Sequence, residues 1–165
     1  MIRVGFGYDT HQLAEGREFI LGGIKLKYEK GLLGHSDADV LLHAITDAIL
    51  GAAALGDIGA HFPDTDSDFK NADSKILLIK AYELVKLKEY ELVNIDSTVI
   101  LEKPKLRPFI DEMRNVIAVC LGTAVDNISI KATTNEKMGF VGKGEGCVAM
   151  AVALIQKTNN KMNNQ

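Results

Sequence analysis

Residues 35–55 read HSDADVLLHAITDAILGAAAL, and the fold turns on how this stretch is organised. Ser36, Asp37, Ala38 and Asp39 form a capping-box pattern, in which the serine hydroxyl takes an exposed amide and an acid three residues on reaches back. The run behind it predicts a helix to about Leu55, with Leu42, Ile45 and Ile49 as apolar neighbours of His43. Upstream, residues 2–6 and 18–26 read as short strands, the second interrupted by Gly22 and Gly23, and residues 28–35 are turn-rich. Downstream, residues 56–71 (GDIGAHFPDTDSDFKN) carry four aspartates, a proline and two glycines. That composition disfavours regular structure, and the length makes it a candidate substrate loop. A second helix opens at Asp73 and Ser74, with Ile76, Leu77, Ala81, Leu84 and Val85 on one face. Residues 93–101 read as a strand, 106–121 as a third helix, and 128–133 and 147–155 as further strands. Strands and helices alternating along so short a chain predict a single α/β (α+β) sandwich, a mixed β-sheet with helices covering one face.

The chain has 165 residues, room for one domain with a real core, which we assign to residues 1–157. Residues 158–165 (TNNKMNNQ) are too polar to offset the entropy of ordering and are expected to be a frayed tail. A 47% apolar, 25% charged composition is that of a packed soluble domain. The net charge of -3, from 22 acidic and 19 basic residues, gives no general attraction for nucleic acid or an anionic membrane. Any phosphate must therefore be held by local chemistry. Cys120 and Cys147 lie far apart in apolar surroundings without CxxC spacing, which reads as thiols buried in a reducing compartment. With no signal-peptide core, transit-peptide composition or membrane-length apolar run, the chain is expected to be cytoplasmic.

Three clusters carry chemistry. In Asp9-Thr10-His11, an extended backbone would point a carboxylate and an imidazole the same way, making half of a metal site; alone, the pattern is more commonly a turn aspartate beside a surface histidine. His43 sits on the helix with Asp39 and Asp47 four residues to either side, and reads equally as a ligand with outer support or as a core histidine satisfied by Asp47. Asp9, His11 and His43 together are a His₂Asp set of the kind zinc accepts, with a fourth position open. His35 and Ser36, at the helix start, are placed where free amides and the helix dipole favour a phosphate. The third cluster, Lys131 to Lys137, combines hydroxyls, cations and Glu136; it reads either as a phosphate and magnesium site or as a solvated strand end. The glycine-rich run 139–146 matches neither a dinucleotide fingerprint nor a Walker loop and reads as a tight connection.

The stretches GYDTHQL (7–13), GHSDADVLLHAITDAILGAAALGDIG (34–59), HFPDTD (61–66), EKPKLRP (102–108) and KATTNEKMGFVGKGEG (131–146) resemble, in order and spacing, the methylerythritol cyclodiphosphate synthases, over about residues 3–155. The resemblance implies conversion of 4-diphosphocytidyl-2-C-methyl-D-erythritol 2-phosphate to the 2,4-cyclodiphosphate with release of CMP, in the non-mevalonate route to isoprenoids. It implies zinc on Asp9, His11 and His43, and magnesium or manganese on Glu136. His35 and Thr134 would steady the transition state, and Ser36 would contact phosphate. Asp57, Ile58 and Gly59 would hold the methylerythritol part, with Phe62, Pro63, Asp64, Thr65 and Asp66 closing over it. Leu101, Lys105, Leu106 and Arg107 with Ala132, Thr133, Thr134, Asn135 and Glu136 would form the cytidine and phosphate pocket, and Phe140 and Lys143 would also touch substrate. Many relatives carry arginine where Lys143 stands, and lysine cannot make a guanidinium's planar two-pronged contact. The resemblance further implies a homotrimer with sheets facing its centre and active sites shared between subunits. Two other readings use the same residues: a zinc-dependent nucleotide-diphosphate hydrolase, and a non-enzymatic trimer that binds nucleotides or isoprenoid diphosphates.

Overall fold

The computed structural model describes residues 1–63 and 72–158. Its main sheet has five strands in the order β4-β1-β7-β5-β6: β1 (Ile2–Glu15), β4 (Lys30–Leu32), β5 (Tyr90–Ile100), β6 (Ile128–Thr133) and β7 (Gly146–Lys157). β1 runs antiparallel to β4 and β7, β7 antiparallel to β5, and β5 parallel to β6, so the sheet is mixed as expected. Strand β1 is far longer than the 2–6 segment read from sequence, because two partners in succession satisfy its backbone, β7 from Ile2 to Gln12 and β4 from Leu13 to Glu15. The predicted 18–26 strand is a hairpin, β2 (Phe19–Leu21) and β3 (Ile24–Leu26), turning at Gly22 and Gly23. Both glycines have positive φ, 62° and 77°, the conformation that makes glycine the fitting residue there.

Helices α1 (Val40–Ala52), α3 (Ser74–Leu87) and α4 (Ile110–Leu121) cover one face, with one-turn helices α2 (Ile58–His61) and α5 (Gly139–Gly142) in the loops. Helix α1 does not start at a Ser36 cap. Ala38 adopts φ 58°, which breaks the helical path after Ser36. The cap is Asp39, whose fully buried carboxylate accepts from Leu41 N, Leu42 N, Gly22 N and Gly23 N at 2.6–3.2 Å. One side chain thus starts the central helix and ties it to the hairpin turn. At the far end, Ala54 at φ 57° stops the helix short of the predicted Leu55.

Helix α1 lies directly on β1. A Cβ built on Gly5 would stand 2.0 Å from Ala48 O, and one on Gly7 would stand 1.9 Å from Ala44 O. Side chains at these positions would force the layers apart, an overpacking that costs typically about 1–3 kcal/mol. The contact also fixes register. Gly5 meets the C-terminal half of α1 and Gly7 meets Ala44, so Asp9, the next inward residue of β1, comes beside His43.

Helix α3 buries Leu77, Leu78, Ala81, Tyr82 and Val85. Ile76, predicted on that face, is 51% exposed, because Leu78 and Tyr82 turn the buried stripe away from it. The 106–121 segment divides into a 3₁₀ turn, Arg107–Phe109, and α4, with Pro108 at the turn's start. Cys147 is buried and Cys120 half-buried, and both thiols are free. The opposite face of the sheet is bare and apolar: Val4, Phe6 and Tyr8 of β1 are 66%, 62% and 46% exposed. They pair across the sheet with Leu154, Val152 and Met150 of β7. No helix among the described residues is long and apolar enough to cross a membrane.

Candidate metal centre

Asp9 and His11 project from the inner face of β1, and His43 from the first turns of α1 beside them. Asp9 Oδ2 lies 3.0 Å from His11 Nε2 and 3.0 Å from His43 Nδ1, and the two ring nitrogens are 3.3 Å apart. These atoms form the metal-capable cluster found among the described residues. A tetrahedral ion with ligand bonds of about 2.0–2.1 Å needs donors about 3.3–3.4 Å apart, so the triad is close to that spacing with little rearrangement. The side chains are half-buried, which leaves one side of the cluster open to a pocket of about 200 Å³. That pocket is lined by Asp9, His11, His35, Ser36, His43, Ile58, Gly59, Phe62 and Leu77.

The donors' proton states follow from what stands behind them. His11 Nδ1 lies 2.7 Å from Leu33 O, a carbonyl that only accepts, so Nδ1 carries the proton and Nε2 turns its lone pair inward. His43 Nε2 faces Ser74 Oγ at 2.9 Å and Ser36 Oγ at 3.2 Å, on the side away from Asp9. Asp39 and Asp47, expected to flank His43, work elsewhere: Asp39 clasps the hairpin turn and Asp47 accepts from Ile58 N at 2.7 Å. Helical spacing put them on the right face, but stronger backbone donors claim both carboxylates. Likewise the helix amides foreseen as an anion pocket are taken by Asp39. His35 and Ser36 still line the cavity, and the buried His35 Nε2 has no partner among the described residues. An orphaned polar atom on a cavity-lining side chain is a place for a ligand oxygen.

Burial pushes the Asp9 carboxyl up, but hydrogen bonds and charge from His11 and His43 outweigh it and hold Asp9 well below the ordinary carboxylate range. Burial pulls His11 down, and Asp9 together with the Leu33 carbonyl reverses this to a net rise above 6.5. For Asp39, burial prevails over its backbone bonds and the carboxyl is raised. Burial pushes the Cys147 thiol, next to His11 across the β1–β7 pair, up to about 12, so in the metal-free chain it stays protonated.

A second cavity, of about 240 Å³, is lined by Leu101, Glu102, Pro104, Lys105, Leu106, Arg107, Ala132, Thr133 and Thr134. Glu102, which the sequence did not single out, accepts from Asn135 N at 2.9 Å and Lys137 N at 3.3 Å. It pins a turn in which Glu136 and Lys137 have φ of 51° and 61°. Glu136 is exposed, and its carboxylate accepts from the Thr134 hydroxyl at 3.0 Å. The two cavities share no residue. Asp9 pairs with Ala149, Ala149 with Val99 and Val99 with Ala132, three strand intervals or roughly 14 Å. Phe140 lines a third cavity with Thr10, His11, Gln12 and Glu145. Asp57 caps α2 through Ala60 N, Pro63 is exposed beside Phe62, and Lys143 is exposed on none of these cavities. Asp64, Thr65, Asp66 and residues 159–165 lie outside the described residues.

Comparison with known proteins places these features in context. The model of the YgbB family matches residues 2–156. The 2-C-methyl-D-erythritol 2,4-cyclodiphosphate synthase of Chloroherpeton thalassium is 60% identical over 94% of this chain and 99% of its own length. The CDP complex of IspF from Plasmodium falciparum superposes with a TM-score of 0.84 at 34% identity, over 96% of this chain and 97% of that one. The bifunctional IspDF of Campylobacter jejuni superposes at 0.92 with 45% identity; 96% of this chain is covered, and it spans 43% of that larger one.

The triad's linked protonation gives the metal-free protein a defined pH response. Asp9's depressed pKa adds stability above the ordinary carboxylate range, lost as pH falls through the depressed value; His11's raised pKa adds stability fully present below 6.5 and lost as pH rises through the folded value. The pair therefore helps most between about pH 4 and 6.5. We predict that the difference in chemical-denaturation stability between metal-free wild type and Asp9→Asn is largest in that window and shrinks above it. By NMR, His11 should titrate above 6.5 in the wild type and lower in the variant. An unchanged His11 titration would contradict the assignment.

Proposed function

Since the chain belongs to the YgbB family, we propose that it closes the 2-phosphate of 4-diphosphocytidyl-2-C-methyl-D-erythritol onto the β-phosphorus of the same molecule, as a 2-C-methyl-D-erythritol 2,4-cyclodiphosphate synthase of isoprenoid precursor biosynthesis. The observation that carries this reading is the convergence of Asp9, His11 and His43 at the mouth of a pocket, in a chain 60% identical to a curated synthase over nearly its whole length. Their nitrogen and oxygen donors suit zinc, and the exposed Glu136 suits magnesium or manganese, which take few protein oxygens and complete their shells with phosphate. Bound there, such ions supply Lewis-acid polarisation and neutralise crowded phosphate charge.

The remaining work falls to the chain's own groups. The new bond joins a 2-phosphate oxygen to the β-phosphorus; the bond from that phosphorus to the bridging oxygen breaks, and CMP leaves with the electron pair. No protein nucleophile is required. Holding both phosphates of one molecule in line removes the entropy of encounter, worth up to roughly 7–11 kcal/mol in favourable cases. His35, through the unpartnered Nε2, and the buried Ser36 hydroxyl are set to hydrogen-bond phosphate oxygens in the first cavity. Ile58 and Gly59 form its wall for the methylerythritol part, and Asp57 holds that wall by capping α2. Phe62 screens it from water, with Pro63, Asp64, Thr65 and Asp66 continuing that segment. In the second cavity Lys105 and Arg107 offer cations to the diphosphate, Leu101, Leu106 and Ala132 receive the cytosine, and Thr133 and Thr134 meet the ribose and phosphates, with Asn135 next to them in the chain. Thr134 also donates to Glu136, which ties the transition-state hydroxyl to the second cation site. Phe140 and Lys143 approach the substrate from the loop before β7.

We further propose a homotrimer packed through the bare apolar sheet face, which joins one subunit's metal centre to a neighbour's cytidine cavity. The separation of the two half-sites within a chain and the exposure of Val4, Phe6 and Tyr8 support this arrangement. Residues 1–157 act as the one catalytic domain, and the free thiols suit the cytoplasm.

Incubated with the cytidyl substrate and both ions, the protein should give a cyclic diphosphate and CMP by mass spectrometry. An open-chain hydrolysis product would instead support the zinc hydrolase. His43→Ala should lower turnover by about a thousandfold, about 4 kcal/mol of barrier, while staying folded; full activity in that variant would refute the site. For the assembly, Phe6→Asp should reduce the mass in sedimentation to that of single chains and abolish cyclisation while zinc still binds. A trimeric, active Phe6→Asp protein would exclude packing through this face.

A further inference from the structure

We propose that Asp37 and Ser74 form a hydrogen-bond relay that holds His43 in its metal-binding tautomer, which makes Ser74 a positioning residue for the centre; this rests on the metal reading above. The protons available around Ser74 decide the tautomer. Asp37 offers only acceptors: Oδ2 takes Ser74 N at 2.9 Å, and Oδ1 takes both the Ser74 hydroxyl and Asp39 N. The serine's single proton is therefore committed to Asp37. Its oxygen, 2.9 Å from His43 Nε2, can only accept, so Nε2 must carry the proton. Nδ1 is thereby the nitrogen left to the Asp9 and His11 side, a donor to the Asp9 carboxylate in the metal-free chain and the lone pair that a metal ion would take. A carboxylate behind a ligating imidazole fixes its orientation and raises its basicity, and here a buried hydroxyl passes that influence on.

The plainer role for Ser74, capping α3, is filled by its neighbour. The Asp73 side chain accepts from Lys75 N at 2.9 Å and is the helix's N-cap. Ser74 is 1% exposed, and its hydroxyl bonds run to Asp37 and His43, 37 and 31 residues away. Ser36 Oγ is further from the same nitrogen, at 3.2 Å, and already accepts from Ala38 N. His11 obtains the equivalent support from a backbone carbonyl. The relay behind His43 is thus the support that side-chain substitution can remove.

The test measures zinc affinity of the full chain by competition with a chromophoric chelator, for wild type, Ser74→Ala and Ser74→Thr, with circular dichroism to confirm folding. Ser74→Ala should bind zinc about 10–100-fold more weakly, and Ser74→Thr, which keeps the hydroxyl, should recover most of the loss. A folded Ser74→Ala protein with wild-type affinity, or a threonine variant as weak as the alanine, would overturn the relay. Should Ser74→Ala not fold, ¹⁵N NMR of the metal-free wild type at alkaline pH decides: a protonated Nε2 on His43 supports the relay, and an Nε2 without a proton refutes it. Wild-type protein that binds no zinc would sink the metal reading itself, a separate result.

Discussion

Two imidazole nitrogens and a carboxylate oxygen meet within 3.0–3.3 Å of one another, and Leu33 O and Ser74 Oγ back the two imidazoles from their far sides. Such a cluster is repulsive unless something positive sits in it. In the metal-free chain a shared proton does so, which is why Asp9 is depressed and His11 raised. A divalent ion would satisfy all three donors at once and leave a fourth position open.

The rest of the fold keeps that cluster from relaxing. Gly5 and Gly7 let α1 rest on β1 backbone to backbone, so His43 cannot slide along Asp9. Asp39, clasping both the hairpin and the first turn of α1, fixes the helix start from which His43 is counted. Asp47, on the same helix, reaches Ile58 N and sets the far wall of the pocket. The buried Asp39 and the half-buried Asp47 are therefore fasteners of α1, and the chemistry is left to the residues at the cavity mouth.

The elements with strong local signals were readable from sequence. Residues 128–133 form a strand with the predicted bounds, and α3 begins at the predicted Ser74. So was the triad, because D-x-H in a strand shows its side chains on one face and His43 sits at a fixed depth in a patterned helix. What escaped was set by contacts distant in sequence. The length of β1 depends on β4 and β7, and the start of α1 depends on a hairpin turn 16 residues earlier. The support behind His43 comes from Ser74, which nothing in residues 35–55 announces. Charged neighbours at helical spacing suggested Asp39 and Asp47, yet spacing cannot tell which carboxylate a backbone amide will claim. Glu102, holding the turn before Glu136, is hidden for the same reason.

One divalent ion shared by three specific atoms would join β1 to α1 at this centre. Anomalous diffraction at the zinc edge from crystals of the zinc-loaded protein tests this directly. It should show one strong peak per chain at bonding distance from Asp9 Oδ2, His11 Nε2 and His43 Nδ1. A peak bound to His43 Nε2, or zinc held elsewhere with these three side chains apart, would contradict it.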